Sequence, residues 1–407
     1  MQAKKSIWYI NKYASPPGAN GGLRGLSLAS EFIQHGHSAV VINSRSNHYV
    51  IQHEAPGRRF SPGFTYAEHW GVPTYTHQTI RYSTTASAQR ILSWLHFEIG
   101  LLFLPARRLP RPTHIIVSSL SLLTVLNGYR LARKFRARLV FEIRDIWPLS
   151  LTARTSLSKN NPVIAILSLV EKFGYGKADV VVGTMPNLVE RVHSVADRKI
   201  RVETIGQGID RELSTIAEIP ALPTSNPRFR VTYGGSIGRA NALQTLLDVA
   251  ESFAPHDGIL FEFYGKGDYL SELQKKYEYH STIKFPGPLP RVELFQTLRS
   301  SDVLIFATDN SEVWNYGQSL HKVVEYMAIG RPIIAAYSGF PSMINEADCG
   351  FFVPAEDKDA LRQRIIDVKA MTIEERSAMG DRARKWILKH RTYKKLANDY
   401  LAILNRP

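Results

Sequence analysis

The sequence predicts an α/β chain built as two Rossmann-like, doubly wound domains facing each other across a cleft. Three observations predict it. The chain has 407 residues, more than one ordinary hydrophobic core accommodates. Apolar runs rich in β-branched residues alternate with amphipathic helical patterns, the signature of parallel sheets with helices on both faces. The alternation also falls into two series, divided by a stretch at 214–227 with three prolines and one charge.

In the first series, 7–10, 38–42, 113–117, 138–143 and 179–182 read as buried strands, with helical patterns at 25–35 and 122–135. In the second, strands are expected at 229–233, 259–264, 281–285, 303–307 and 332–336. Its helices are expected at 242–253, 269–277, 291–300, 319–329 and 357–368. A last helical pattern over 381–404 carries Trp386, Tyr393, Leu396 and Tyr400. The expected domains are a first Rossmann-like domain at 1–210, a second at 211–385, and a terminal helix at 386–407 that packs back on the first domain.

Composition is that of a globular protein, 44% hydrophobic and 21% charged. The single cysteine, Cys349, rules out an intrachain disulfide and a thiolate cluster, and it fits a reducing compartment. The opening MQAKKSIWYIN reads as a first strand, because its apolar run is shorter than a secretory signal needs. No run of about 20 apolar residues is present, so no membrane span is expected. Charge is uneven. Residues 1–210 hold 26 Lys and Arg against 12 Asp and Glu, whereas the remainder holds 25 against 24. A basic half points to an anionic partner: lipid, nucleic acid or a phosphorylated substrate.

Ligands of such domains bind at the C-terminal ends of strands. After the first strand comes SPPGANGGLRG, without the dinucleotide spacing G-x-G-x-x-G. Gly18, Gly21 and Gly22 would let the backbone approach an anion at the next helix N-terminus, and a plain turn explains them equally well. The second half has three such loops. VTYGGSIGRA supplies Gly234, Gly235, Ser236 and Arg239, and FYGKG supplies Gly265 and Lys266. YGQSLHKVVEYMAIGRP supplies Ser319 as a helix N-cap, Lys322 in the first turn, Glu325 nearly two turns in and Gly330 as the C-terminal stop. A lysine in a first turn opposes the helix dipole, which an anion there would explain. Glu325 could accept two hydroxyls of a ribose, or be an ordinary surface residue.

These loops, with KFPGPLPRVELFQTLRSSDVLIFA and E-Y-M-A-x-G-R-P, resemble the donor domain of the GT-B glycosyltransferases of family 4. In the first half FEIRDIWPLSL, SKNNP and VEKFGYGKADVVVG resemble bacterial O-antigen and capsular polysaccharide transferases, the N-acetylfucosaminyltransferase-like subgroup in particular. The resemblance covers nearly the whole chain. It implies the GT-B fold, with the acceptor bound by the domain at 1–210 and the nucleotide sugar by the domain at 211–385. It also implies a retaining, metal-independent enzyme without a cofactor, in which Arg239 and Lys322 do a cation's work. The implied donor site is Gly234, Gly235, Ser236, Gly265, Lys266, Leu289, Ser319, Lys322 and Glu325. One departure stands out. The family has a glutamate eight positions before Glu325, and Gly317 stands there. The nucleotide contacts survive this change, while the sugar contacts lose their usual anchor.

Asp145, at the end of an apolar strand in RDIWP, is placed for acid–base work or acceptor binding, or else is a helix cap or the partner of Arg144. His48 is a rival base, and His321 a second candidate for phosphate. No pair of histidines or carboxylates has a metal spacing. The segment 91–111, apolar and then bearing Arg107, Arg108 and Arg111, is either a buried helix or an interfacial anchor on anionic lipid. The expected protein is a cytoplasmic glycosyltransferase, peripheral on the inner face of the plasma membrane. It would move a sugar from a UDP-sugar to a lipid-linked, polyprenyl-diphosphate acceptor in O-antigen, lipopolysaccharide or capsule assembly. The rivals are a sugar-nucleotide epimerase of the same architecture and a nucleic-acid-binding protein using the basic half. The second is disfavoured, because the basic residues show no aromatic interleaving.

Overall fold

The structure, a computed structural model, describes residues 4–18, 21–46, 58–61, 63–82, 88–119, 121–155, 158, 160–221, 226–238 and 241–406. The chain divides into two compact units. Unit 1 is Met1–Gly208 with Tyr393–Pro407, and unit 2 is Ile209–Thr392.

Unit 1 opens with β1 (Ser6–Ile10), α1 (Arg24–Gln34), β2 (Ser38–Ser44), β3 (Arg58–Ser61), β4 (Phe64–His69), β5 (Val72–His77) and α2 (Ala88–Leu102). It continues through β6 (His114–Ser118), α3 (Thr124–Phe135), β7 (Arg138–Ile143), α4 (Leu149–Arg154), α5 (Pro162–Lys177), β8 (Val180–Gly183), α6 (Leu188–Val195) and β9 (Val202–Thr204). The sheet order is β3-β4-β5-β2-β1-β6-β7-β8-β9. Pairing is parallel from β5 to β9, and β3 and β4 add antiparallel. Central strands β1, β6 and β7 are apolar and almost wholly buried because helices cover both faces.

One buried charge is built into this sheet. Glu142 on β7 accepts a 2.9 Å hydrogen bond from Arg24 Nε and bonds from the hydroxyls of Tyr9, Ser118 and Tyr400. Arg24 also donates to the carbonyls of Gly206 and Ile205, so both ions are satisfied in the interior. Glu142, which alternates away from Asp145 along the strand, is therefore a structural residue.

Unit 2 holds α7 (Arg211–Glu218), β10 (Phe229–Gly234), α8 (Leu243–Glu251), β11 (Ile259–Tyr264), α9 (Leu270–Lys276), β12 (Ile283–Gly287), α10 (Arg291–Arg299) and β13 (Val303–Ala307). Then come α11 (His321–Ile329), β14 (Ile333–Ala336), α12 (Met343–Glu346), β15 (Gly350–Val353), α13 (Lys358–Ala370) and α14 (Ile373–His390). Its sheet, β12-β11-β10-β13-β14-β15, is parallel throughout. After α14 the chain re-enters unit 1 as α15 (Tyr393–Asn405), which lays Tyr400 edge-on to Phe32 of α1.

Three expectations are corrected. Residues 214–218, read as linker, lie in α7, because the Asp210 side chain accepts from the Leu213 N–H at 2.9 Å and starts a helix there. The single terminal helix is two, α14 and α15, separated at Arg391 and Thr392. The boundary drawn between 385 and 386 consequently falls inside α14.

Candidate active site

Three loops of unit 2 meet at the C-terminal end of β10. The Gly235 N–H donates to the Tyr264 carbonyl at 2.9 Å, and the Ile237 N–H donates to the Lys266 carbonyl at 2.9 Å. Gly265, at φ +150°, fits only without a side chain, since a Cβ there would lie 1.7 Å from the Gly235 carbonyl oxygen. The glycines of these two loops thus serve loop-on-loop packing first. The start of α11 completes the cluster. A Cβ on Gly235 would stand 3.2 Å from the Lys322 ammonium and 3.0 Å from the Tyr233 hydroxyl.

Lys322 Nζ donates to the Tyr233 hydroxyl at 2.8 Å and stands 4.4 Å from the ring centroid. The Tyr233 hydroxyl in turn donates to the Ser236 carbonyl at 2.8 Å. One turn on, the Tyr326 hydroxyl accepts from the Gly234 N–H at 2.7 Å and so fixes α11 to the end of β10. Burial pulls the Lys322 ammonium down to about 8, with Glu325 acting against that fall. Burial likewise pushes the Glu325 carboxyl up to about 7, and Arg291 and Lys322 oppose the rise while Asp210 adds to it. Arg291, at the start of α10, pairs with Asp210 at 2.6 Å and Glu212 at 2.5 Å. Glu325 has no hydrogen-bond or ion-pair partner among the described residues. The site therefore offers a cation on a neutral aromatic cushion and a carboxylate with open acceptor sites, which is what an anion bearing hydroxyls requires.

The structure brings together Gly234, Gly235, Ser236, Gly265, Lys266 and Lys322. Ser236 and Lys266 are exposed. Leu289 lies half-buried between β12 and α10. Ser319 is not the N-cap: Leu320 holds that position in extended backbone and α11 begins at His321. Glu325 is accordingly little more than one turn into the helix, and Gly330 ends it at φ +78°. Arg239 and His48 lie outside the described residues. His321 is exposed. Sequence reading missed Tyr233, Tyr326, Arg291 and Asp210, although Tyr233 stands directly before the Gly-Gly pair. It also missed Gln318, buried beside the start of α11 with neither amide atom hydrogen-bonded.

In unit 1, Asp145 follows β7 and accepts from Trp147 Nε1 at 3.0 Å and from the Ser150 hydroxyl. Trp147 meets Trp94 of α2 edge-on at 5.4 Å, and Trp94 Nε1 donates to the Tyr13 hydroxyl. Arg90 stacks over Trp94 at 5.1 Å. Gly22, at φ +77°, closes the loop after β1, where a Cβ would strike Ser15 Oγ and the Tyr13 carbonyl. Gly18 and Gly21 lie in the same loop, and Arg24, the cation after it, is committed to Glu142. Among the described residues no three His, Cys, Asp or Glu side chains are grouped to hold a metal. Among them, too, no helix is long and apolar enough to cross a membrane.

Residues 217–386 match the family described as "Glycosyl transferases group 1". The match takes in β10 to β15 and the loops just described, and it supports a glycosyltransferase. Among curated relatives is WcaL of Escherichia coli (strain K12), assigned by name to colanic acid biosynthesis as a glycosyltransferase. It is 26% identical over 136 residues, 33% of this chain and 33% of that protein. Its namesake in Salmonella typhimurium is 25% identical over 28% of this chain and 29% of its own length. The chain thus aligns with about a third of the curated relatives it matches. Solved structures match over nearly their full length. Sucrose-phosphate synthase from Thermosynechococcus elongatus has a TM-score of 0.70 at 15% identity, covering 98% of both chains. HepE of Anabaena, in complex with UDP and glucose, has a TM-score of 0.67 at 15% identity, covering 99% of this chain and 100% of its own. These likenesses show the fold: α/β, GT-B, with two Rossmann-like domains.

Proposed function

We propose that the protein is a retaining glycosyltransferase. It moves a hexosyl or N-acetylhexosaminyl unit from a UDP-sugar to a lipid-linked, polyprenyl-diphosphate saccharide during bacterial surface polysaccharide assembly. The observation that carries this reading is Lys322, held on Tyr233 against Gly235, with the open carboxylate of Glu325 on the same helix face. Lys322 binds the diphosphate and steadies the charge that develops there as the bond from the sugar's anomeric carbon to phosphate breaks. Glu325 accepts the ribose hydroxyls. Arg239, which follows Gly234, Gly235 and Ser236 in the sequence, is assigned as a second cation. Asp145, held by Trp147 and Ser150 amid Trp94, Tyr13 and Arg90, is assigned to the acceptor hydroxyl, whose proton must leave as the new glycosidic bond forms. Retention and the lipid-linked acceptor rest on the family resemblance. The UDP in HepE and the colanic acid role in the name of WcaL agree with a nucleotide-sugar donor and a surface-polysaccharide product. The enzyme works on the cytoplasmic side, at the inner-membrane surface where such acceptors are held.

Thermal unfolding against a panel of UDP-, GDP- and dTDP-sugars, followed by transfer to a polyprenyl-diphosphate saccharide, tests the reading. A UDP-sugar at a hundred times its Kd should stabilise the fold by about 2.7 kcal/mol. No stabilisation by any nucleotide would remove the donor assignment.

A further inference from the structure

Two helices of unit 1 are apolar on their outward faces as well as on their inward ones. On α2 the buried face carries Phe97 and Leu101 together with Ser93 and Glu98, and Glu98 is hydrogen-bonded to Ser121, Thr124 and Asn127. The outward face of the same helix carries Ile91, Leu95, Ile99 and Leu102, and Phe103 just beyond it is 75% exposed. On α5, Glu171 is buried against Arg191 at 2.8 Å, while Val163, Ile166 and Leu169 point outward, Leu169 at 68% exposure. A surface helix of a water-soluble protein turns a polar face outward instead. The two lie on either side of α3. Asn127 Nδ2 of α3 reaches Glu98 of α2 at 2.8 Å, and Tyr129 of α3 meets Phe173 of α5 at 5.3 Å. Leu126 of α3, itself exposed, belongs to this same flank.

Cations gather at one end of this flank. Arg107 and Arg108 follow α2, and Arg111 donates to the Phe135 carbonyl at the end of α3. Arg133, Lys134 and Arg136 are exposed at that end of α3, and Lys177 ends α5, while Lys172 is paired with Asp197 at 2.8 Å. The carboxylates on these three helices, Glu98 and Glu171, are both turned inward.

We propose that the outer faces of α2 and α5 form one docking surface for an anionic lipid bilayer. This deepens the membrane part of the proposed function and rests on it. The apolar residues enter the headgroup region, and the arginines and lysines meet lipid phosphate. Charge decides the occupant. A second copy of the chain presents the same surface, and the three helices turn no carboxylate outward to meet these cations, whereas an anionic bilayer is complementary to them. The same helix α2 carries Arg90 and Trp94 beside Asp145's neighbour Trp147, so a docked surface would set the membrane next to the residues assigned to the acceptor.

The test is sedimentation with vesicles of phosphatidylcholine alone or mixed with phosphatidylglycerol, without substrate. The wild type should bind only the mixed vesicles, and salt should release it. The pairs Ile99→Gln with Phe103→Gln, and Ile166→Gln with Leu169→Gln, should each weaken binding by about tenfold or more. Arg107, Arg108 and Arg111 changed together to Gln should do the same. All these side chains are exposed, so UDP calorimetry should be unchanged. Loss of UDP binding in the wild type would instead strike the proposed function. If the wild type ignores anionic vesicles, if the α5 pair binds like wild type, or if the substitutions dissolve a dimer and leave vesicle binding intact, the proposal is overturned.

Discussion

The Lys322 ammonium rests on Tyr233, 2.8 Å from its hydroxyl and 4.4 Å from the centre of its ring. Neither contact neutralises the charge. A partly desolvated cation with a neutral partner is poised to gain from an anion, because the anion supplies what burial has removed. Lys322→Ala should therefore lower turnover about a hundredfold or more, the usual cost of losing a preorganised partner of developing charge. Tyr233→Phe keeps the ring and loses the hydroxyl, so it should cost only about 1 kcal/mol of transition-state stabilisation. Steady-state kinetics on both variants, with melting curves to show intact folds, checks the ranking. Equal and small effects would place the diphosphate elsewhere.

Glu325 gives a pH signature. Its carboxyl, raised by burial to about 7, must ionise to accept hydroxyls, so UDP affinity should fall as pH drops through about 7. Glu325→Gln should flatten that limb. Stability moves the other way. A carboxyl with a raised folded pKa contributes stability that is full below its unfolded value and lost as pH rises through about 7. Unliganded Glu325→Gln should consequently melt higher than wild type at pH 8. A lower melting temperature would show Glu325 to be a structural anchor.

Asp145→Asn keeps the shape of the side chain and removes its charge. Turnover should fall about a hundredfold or more, while UDP affinity, set in unit 2, stays unchanged. Loss of both would show a folding defect.

The strands were the most legible part of the sequence. Residues 259–264 and 303–307 form β11 and β13 as expected, since a strand buried on both faces is written as an unbroken apolar run. The antiparallel β4–β5 pair escaped notice because its partly exposed strands mix Thr, His and Tyr without a clean alternation. The loops were legible as motifs and not as geometry. Gly265 reads as a phosphate glycine, yet its conformation is demanded by the Gly235 carbonyl, a contact between segments 30 residues apart. Tyr233 and Arg291 could not be recognised from spacing, because they act through Lys322 and Glu325 on a helix distant in sequence.

The interior of unit 1 supplies a test independent of any ligand. Burial alone would raise the Glu142 carboxyl, but the charge and hydrogen bonds of Arg24, with those of Tyr400 and Tyr9, hold it down at about 2. Glu142→Ala leaves Arg24 buried without a counter-charge and should destabilise by about 3–5 kcal/mol in urea unfolding. The stability that Glu142 contributes is present above its unfolded value near 4.5 and is lost as pH falls toward 2. A near-neutral substitution would mean that the pair is replaceable packing.

The central claim is that Lys322 takes the diphosphate of the donor. Calorimetry of UDP binding at pH 8, in two buffers of different ionisation enthalpy, measures it directly through the proton count. Unliganded Lys322, lowered to about 8, is about half protonated there, and a bound diphosphate restores the charge. The account predicts uptake of about half a proton per UDP bound, absent in Lys322→Ala. UDP binding with no uptake, or with the same uptake in the variant, would contradict it.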